Sequence, residues 1–179
     1  MNQSTDKSLS QVYDRALLLY GSKRNQELTL AEIEQYGLDS FANSDYLSIY
    51  GMAPREWYGR GIRLLGRTAV ECTRDVLGDR IGHDVASVAT RMRANTFVVI
   101  DPFAGSCNTL FWILRHLPNS DRIAIESDPQ VFALTRRNLK TLTKGSNLSM
   151  ATMKGSYLSS TWQRIAVSLL SSHLLGALP

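Results

Sequence analysis

Residues 98–128 read VVIDPFAGSCNTLFWILRHLPNSDRIAIESD. The β-branched and aromatic run at 96–100 is typical of a strand buried on both faces. A turn at 101–108 precedes a helix over 109–117 that is apolar on nearly all sides, which predicts a buried helix. Residues 121–126, DRIAIE, predict a second short strand.

The segments that follow repeat the same alternation of strand and helix. Asp128 and Pro129 are an N-cap and first-position pair that predicts a helix to about Leu142. Residues 148–153 predict a weaker third strand, and residues 160–175 predict a third helix. The order β-α-β-α-β-α predicts an α/β fold with a partial, doubly wound parallel sheet.

The chain before this sheet reads as helical. Residues 10–20 carry apolar side chains at helical spacing, and Thr29 with Glu32 fits a capping box for a short helix that Gly37 would end. Residues 38–53 predict a loop, and Pro54 can begin a long helix. We therefore expect a helical region over 1–94 and a sheet-containing half over 95–179.

The predicted long helix, residues 54–77, has two faces at about 100° per residue. The apolar face holds Ile62, Leu65, Ala69, Cys72 and Val76. The opposite face holds Arg60, Arg63, Arg67 and Arg74. These arginines suit a phosphate backbone such as RNA, but a solvated face with Glu71 in reach of two of them is the alternative. Glycines at 78 and 82 predict a break, and Asp84 can cap a further helix to Arg91.

Composition limits the class of protein. The chain has 179 residues, a net charge of +4 and 44% hydrophobic residues, which is ordinary globular usage. Its two cysteines and three histidines are scattered, so neither a disulfide framework nor a zinc site is predicted. The polar N-terminus lacks a signal-peptide core and no stretch is long enough for a membrane span, which favours a cytoplasmic protein without membrane contact.

The turn at 101–108 carries the predicted chemistry. A buried strand delivers Asp101 to the carboxyl edge of the sheet, and Gly105 allows a tight turn with close backbone approach to a ligand. Glu126 follows 21 positions later at the end of the next strand, the spacing at which a carboxylate accepts bonds from ribose hydroxyls. The pattern predicts a nucleoside-containing ligand, and the absence of GxGxxG argues against a dinucleotide.

Together, DPFAGS at 101–106 and IAIESDP at 123–129 resemble the first two motifs of class I S-adenosylmethionine-dependent methyltransferases, in the DPFAGSG form of RNA and DNA methyltransferases. The resemblance implies a Rossmann-like sheet, S-adenosyl-L-methionine as cofactor and methyl transfer to nucleic acid, with RNA favoured. It implies cofactor contacts from Asp101, Pro102, Phe103, Ala104, Gly105, Ser106, Asn108, Thr109, Glu126 and Ser127. In that family the first motif lines the methionine end, and the position of Ser127 lies beside the adenine.

The sequence departs from this family at several positions. Cys107 replaces the last glycine of the turn, where it either crowds the cofactor or points away; a reactive thiol is the weaker alternative. Ser156 stands where many relatives place an acidic residue against the adenine amino group. The five prolines include no adjacent pair, so the Asp/Asn-Pro-Pro motif that binds the target amino group is missing and no catalytic residue is predicted.

These departures leave a second hypothesis open. From the first strand, at Val98, to Pro179 there are about 80 residues, enough for about three strands in total at the size of a βαβ unit. We therefore expect a sheet that is incomplete at its C-terminal side. The second hypothesis is a truncated or diverged protein that binds a nucleoside or a protein partner without catalysis. An adaptor whose helical half binds RNA is a weaker alternative. An exposed strand edge would also permit self-association.

Overall fold

A computed structural model of the chain describes residues 12–92, 97–143 and 151–155. Within these ranges there are seven helices: α1 (Arg15–Leu19), α2 (Leu30–Phe41), α3 (Pro54–Gly59), α4 (Gly66–Glu71), α5 (Asp75–Arg91), α6 (Asn108–His116) and α7 (Pro129–Leu142). Three strands accompany them: β1 (Val98–Asp101), β2 (Asp121–Glu126) and β3 (Ala151–Lys154). None of the helices in the described ranges is long and apolar enough to cross a membrane.

The three strands form one parallel sheet in the order β1-β2-β3. Ile100 pairs with Ile123, which in turn pairs with Ala151. The carboxyl ends of β1 and β2 therefore lie at the same edge, which brings Asp101 and Glu126 together. The α/β class with parallel strands is confirmed, as are both ends of β2 and α7. The predicted helix at 160–175 and the boundary near residue 94 lie outside the described residues.

The capping box that the sequence predicts at α2 is present. The Thr29 N–H donates to Glu32 Oε2 at 2.8 Å, and the Glu32 N–H donates to Thr29 Oγ1 at 3.3 Å. The prediction that Gly37 ends this helix is wrong, because the helix continues to Phe41. Ala42, with φ 53°, provides the left-handed turn that ends it.

The predicted single helix over 54–77 is also wrong. Pro54 begins α3 as expected, but that helix ends at Gly59, and the chain is extended around Leu64. The Leu28 N–H donates to the Leu64 carbonyl at 2.9 Å, so this segment pairs with an earlier one instead of continuing the helix. A period of 100° per residue therefore does not describe residues 54–77, and the two predicted helix faces do not form. Val76, which we predicted on the apolar face, is 77% exposed.

Gly78 and Gly82 do not break a helix, in contrast to the prediction. Helix α5 runs without interruption past both glycines, and its residue contacts with α6 are the most extensive between any two described elements. A Cβ at position 78 would lie 2.5 Å from Trp112 Cδ1, and one at 82 would lie 2.6 Å from the Trp112 carbonyl oxygen. The two glycines are therefore the surface on which α6 packs.

Candidate functional site

The turn between β1 and α6, residues 101–107, is called the glycine turn below. Gly105 has φ 48°, in the left-handed region that favours glycine. Its carbonyl accepts a hydrogen bond from Thr135 Oγ1 of α7 at 2.6 Å. The Phe103 N–H donates to Asp101 Oδ1 at 3.0 Å, which fixes the start of the turn. The backbone at the edge of the sheet is thus held in one conformation from both sides.

Glu126 holds the glycine turn against the end of β2. Its Oε2 accepts from the Gly105 N–H at 3.0 Å, and its Oε1 accepts from the Asp128 N–H at 2.8 Å. The Ala104 N–H adds a bond to the Ile125 carbonyl at 2.9 Å. A carboxylate has about four lone-pair positions, so Glu126 can accept two more hydrogen bonds, for example from a ribose.

A cavity of about 320 Å³ opens at this edge of the sheet, within the size range of small-molecule sites. Six of the ten predicted cofactor residues line it: Ala104, Gly105, Ser106, Thr109, Glu126 and Ser127. The other four predicted residues, Asp101, Pro102, Phe103 and Asn108, are not among its lining residues. The structure therefore brings the glycine turn and the end of β2 to one cavity, as the sequence predicts.

Asn108 has a different place from the predicted one. It is 1% exposed, and its Oδ1 accepts from the Tyr50 N–H at 2.7 Å. Its Nδ2 donates to the Thr73 carbonyl at 2.7 Å and to Asp75 Oδ1 at 3.1 Å. The side-chain amide of Asn108 thus makes three hydrogen bonds to the helical region. Because Asn108 directly follows the glycine turn, these bonds join the turn to that region.

The thiol that replaces the last glycine of the turn points away from the cavity. Cys107 has φ 62°, the left-handed conformation that a glycine would adopt, and it is 1% exposed. Its side chain packs with Leu110, Leu114 and Ala124. Burial, together with nearby acidic groups, raises the pKa of the Cys107 thiol far above its ordinary value. This supports the glycine replacement and not the reactive thiol.

Asp101 lies close to the carboxylate of Glu126. Burial raises its pKa, the hydrogen bond from the Phe103 N–H opposes that rise, and the charge of Glu126 adds to it. Its side chain accepts a backbone bond within the turn and does not reach the cavity lining. Asp101 therefore shapes the glycine turn in this structure.

The sequence did not predict the opposite wall of the cavity. We call residues 67–73 the roof; Arg67, Thr68, Glu71, Cys72 and Thr73 of this segment line the cavity. The roof comes from α4 and the connection to α5, about 30 residues before the glycine turn. No local motif marks it, because its place depends on contacts between residues far apart in the sequence.

The four arginines predicted to form one stripe do not share a helix. They lie after α3, in the connection to α4, inside α4 and directly before α5, in the order Arg60, Arg63, Arg67 and Arg74. Arg67 is 9% exposed, and its Nη2 pairs with Asp128 Oδ1 at 2.6 Å. Arg67 is thus part of the cavity wall, where its guanidinium pairs with a carboxylate. Among the described residues, Glu71 pairs with neither of the arginines proposed for it.

The cavity lining is acidic. Glu71, Glu126 and Asp128 contribute three carboxylates against the one guanidinium of Arg67, a formal charge of −2 for the described residues. Burial tends to raise the pKa of Asp128, but the hydrogen bond from Arg67 and backbone N–H groups outweigh it and hold the pKa below the ordinary value. Such a lining attracts cationic ligands and repels phosphates.

Comparisons of the chain with models of known protein families, with curated proteins and with solved structures returned no match. Within the described ranges, no group of three or more His, Cys, Asp or Glu side chains is placed to hold a metal ion. The interpretation of the cavity therefore depends on its own geometry and on the motifs that line it.

Proposed function

We propose that the chain binds S-adenosylmethionine and belongs to the class I methyltransferases, with a partial, Rossmann-like sheet. One observation carries the proposal: the glycine turn and Glu126 together line one cavity, opposite the roof residues Arg67–Thr73, at the carboxyl ends of two neighbouring parallel strands. This is where ligands bind in open α/β sheets. The free lone pairs of Glu126 suit the two ribose hydroxyls.

The charge of the lining supports a sulfonium cofactor over a nucleotide. S-adenosylmethionine carries a net positive charge at neutral pH, whereas a dinucleotide carries a pyrophosphate. With three carboxylates and one guanidinium around the cavity, Coulomb interactions favour the former. The carbonyls and hydroxyls of the turn can position the cofactor without a positively charged group for phosphate.

The reaction proposed is an in-line methyl transfer. A lone pair of the acceptor forms a bond to the methyl carbon while the carbon–sulfur bond breaks, and the sulfonium becomes a neutral thioether. Such a transfer depends mainly on holding the two reactants in line, so the glycine turn and Glu126 would contribute by fixing the cofactor. The proposed methyl acceptor is the one that the family resemblance implies, a nucleic acid with RNA favoured.

Calorimetric titration tests this proposal. We expect the full chain to bind S-adenosylmethionine and not a nicotinamide dinucleotide, and we expect Glu126→Gln to weaken binding by about tenfold or more through a lost acceptor. Glu56→Gln on the exposed face of α3 is the matched control, since Glu56 pairs with Arg60 and lies outside the cavity lining. Circular dichroism of each variant reports whether the fold is retained.

Two outcomes separate the candidate functions. Absence of binding at millimolar cofactor would rule out the enzyme. Binding without transfer of a radiolabelled methyl group to bulk RNA or DNA would favour the second candidate, a nucleoside-binding protein without catalysis. That candidate is favoured by the sequence itself, which has no adjacent prolines for the motif that holds a target amino group.

A further inference from the structure

The roof lies along the cavity from one end to the other. At one end Arg67 pairs with Asp128, next to the end of β2. At the other end Thr109 Oγ1 donates to Thr73 Oγ1 at 2.8 Å, next to the glycine turn. A ligand that spans from Ser127 to the glycine turn therefore passes along the full length of this segment.

Polar groups of the roof are left without partners among the described residues. Thr68 lines the cavity and is 4% exposed, and its Oγ1 has no hydrogen-bond partner among the described residues. The Nε of Arg67 is also buried and also lacks such a partner. A buried polar group without a partner is costly and calls for an explanation, such as a ligand absent from the structure. The wall opposite the glycine turn thus has hydrogen-bonding capacity that no described residue uses.

Of the three carboxylates that line the cavity, Glu71 alone has no hydrogen-bond or ion-pair partner among the residues that the structure describes. Glu126 holds two backbone N–H groups, and Asp128 holds Arg67 and the first two N–H groups of α7. Glu71 has neither a hydrogen bond nor an ion pair with any described residue, although it lines the cavity. It lies two residues before Thr73, toward the glycine-turn end of the roof.

We propose that Glu71 binds the α-ammonium group of the cofactor and so selects ligands that carry an amino-acid chain. This inference rests on the proposed function and on the cofactor orientation that the family resemblance implies, with the amino-acid end at the glycine turn and the adenine beside Ser127. Glu71 is exposed and lines the cavity, so it can pair with an ammonium group without the desolvation cost of a buried pair. The helical region would then supply a specificity determinant of the site.

Three ligands separate the parts of the cofactor. S-adenosylmethionine has the ammonium and the sulfonium, S-adenosylhomocysteine has the ammonium alone, and 5′-methylthioadenosine has neither. We expect Glu71→Gln to weaken binding of the first two equally, by about fivefold, and to change the third by less than about twofold. The loss should shrink in high salt, because an exposed pair is screened. Glu56→Gln is again the control.

Each other outcome contradicts the proposal in a distinct way. Equal weakening of all three ligands would mean that Glu71 merely supports the structure of the roof. If Glu71→Gln weakens the binding of S-adenosylmethionine alone, Glu71 interacts with the sulfonium. If the affinities of all three ligands are unchanged, Glu71 does not contact the ligand. If the wild-type chain binds none of the three ligands, the proposed function itself fails and this inference falls with it.

Discussion

Different interactions stabilise the helical region and the sheet region. The interior of residues 12–92 is a large apolar cluster around Trp57, which Phe111 of α6 joins from the sheet region. Trp57 is 0% exposed and donates from Nε1 to the Leu47 carbonyl at 3.0 Å. The cluster of the sheet region around Leu110 is smaller, and its glycine turn is anchored by polar bonds from the helical region. Tyr50 illustrates this: its hydroxyl donates to the Ser106 carbonyl.

The difference shows that the cavity belongs to the junction of the two regions. Asp75 is the centre of that junction, accepting from the Gly51 N–H at 3.0 Å and from Trp112 Nε1 at 2.6 Å, besides Asn108. One wall of the cavity is positioned by the sheet and the other by α4. A change that separates the regions should therefore remove the site before it unfolds the apolar cluster around Trp57.

The largest loss of stability is expected from Asn108→Leu. This change removes the hydrogen bonds that join the two regions and keeps the size of the side chain. Three partners lose their bonds: the Tyr50 N–H, the Thr73 carbonyl and the Asp75 carboxylate. Each buried group left unpaired costs about 1–3 kcal/mol, so we expect a loss of about 4 kcal/mol in the free energy of unfolding. Urea unfolding followed by tryptophan fluorescence measures it.

Asn25→Leu on the exposed surface is the control for this change, with an expected effect within about 0.5 kcal/mol. Hydrogen exchange adds a second readout, since the amides of the glycine turn should lose protection while those around Trp57 keep theirs. Equal loss of protection in both regions would mean that they unfold as one unit and that the comparison is wrong.

A smaller loss of stability is expected from Gly82→Ala, which tests the close packing of α5 against α6 between the same regions. The new methyl group would lie 2.6 Å from the Trp112 carbonyl oxygen and 2.7 Å from His116 Cδ2, so α5 and α6 must move apart. Overpacking of this kind costs about 1–3 kcal/mol, and we expect a loss of about 2 kcal/mol after the gain in helix propensity.

Gly59→Ala provides the contrast for that measurement, because nothing lies within 4 Å of a Cβ at the end of α3. There the same substitution should leave stability unchanged or raise it by up to about 1 kcal/mol. Both variants are compared by their urea midpoints. A Gly82→Ala variant as stable as Gly59→Ala would show that α5 and α6 adjust without cost.

The features that the sequence predicts correctly depend on neighbours in the chain. The capping box of Thr29 and Glu32, and the N-cap and first-position pair at Asp128 and Pro129, involve residues at most three positions apart. The strand β2 is identified by its own six residues. The approach of Gly105 to Glu126 spans 21 positions, but a single strand–turn–helix–strand unit sets it, so the motif predicts it without knowledge of the rest of the fold.

The features that the sequence misses depend on partners far away. Arg67 reads as part of an exposed charged face, but its partner Asp128 lies 61 positions later and buries it. Gly78 and Gly82 read as a break, but their role comes from Trp112 on another helix. The roof was missed for the same reason: no periodicity along one helix indicates which later segment will lie across from it.

The smallest loss of stability is expected from a change in the capping box of α2, inside the helical region. Burial would raise the pKa of Glu32, but bonds from Lys23 Nζ, Thr29 and Tyr13 outweigh it and lower the pKa from 4.5 to about 2. Because the folded pKa lies below the unfolded one, the ionised carboxylate stabilises the fold above pH 4.5, and this contribution is lost as the pH falls toward 2. Since glutamine can still serve in a capping box, we expect Glu32→Gln to cost about 1 kcal/mol at pH 6.

The urea midpoints of the wild type and Glu32→Gln should therefore converge between pH 6 and pH 2.5. Glu34→Gln on the same helix is the control, because its pair with Arg55 is exposed at the arginine and should contribute little at either pH. Protection of the glycine-turn amides should not differ between the wild type and Glu32→Gln, since Glu32 has no contact with the junction. A gap that persists unchanged at pH 2.5 would show that packing, and not the charge of Glu32, carries the effect. A loss confined to the glycine turn would instead mean that the helical region transmits local changes to the cavity.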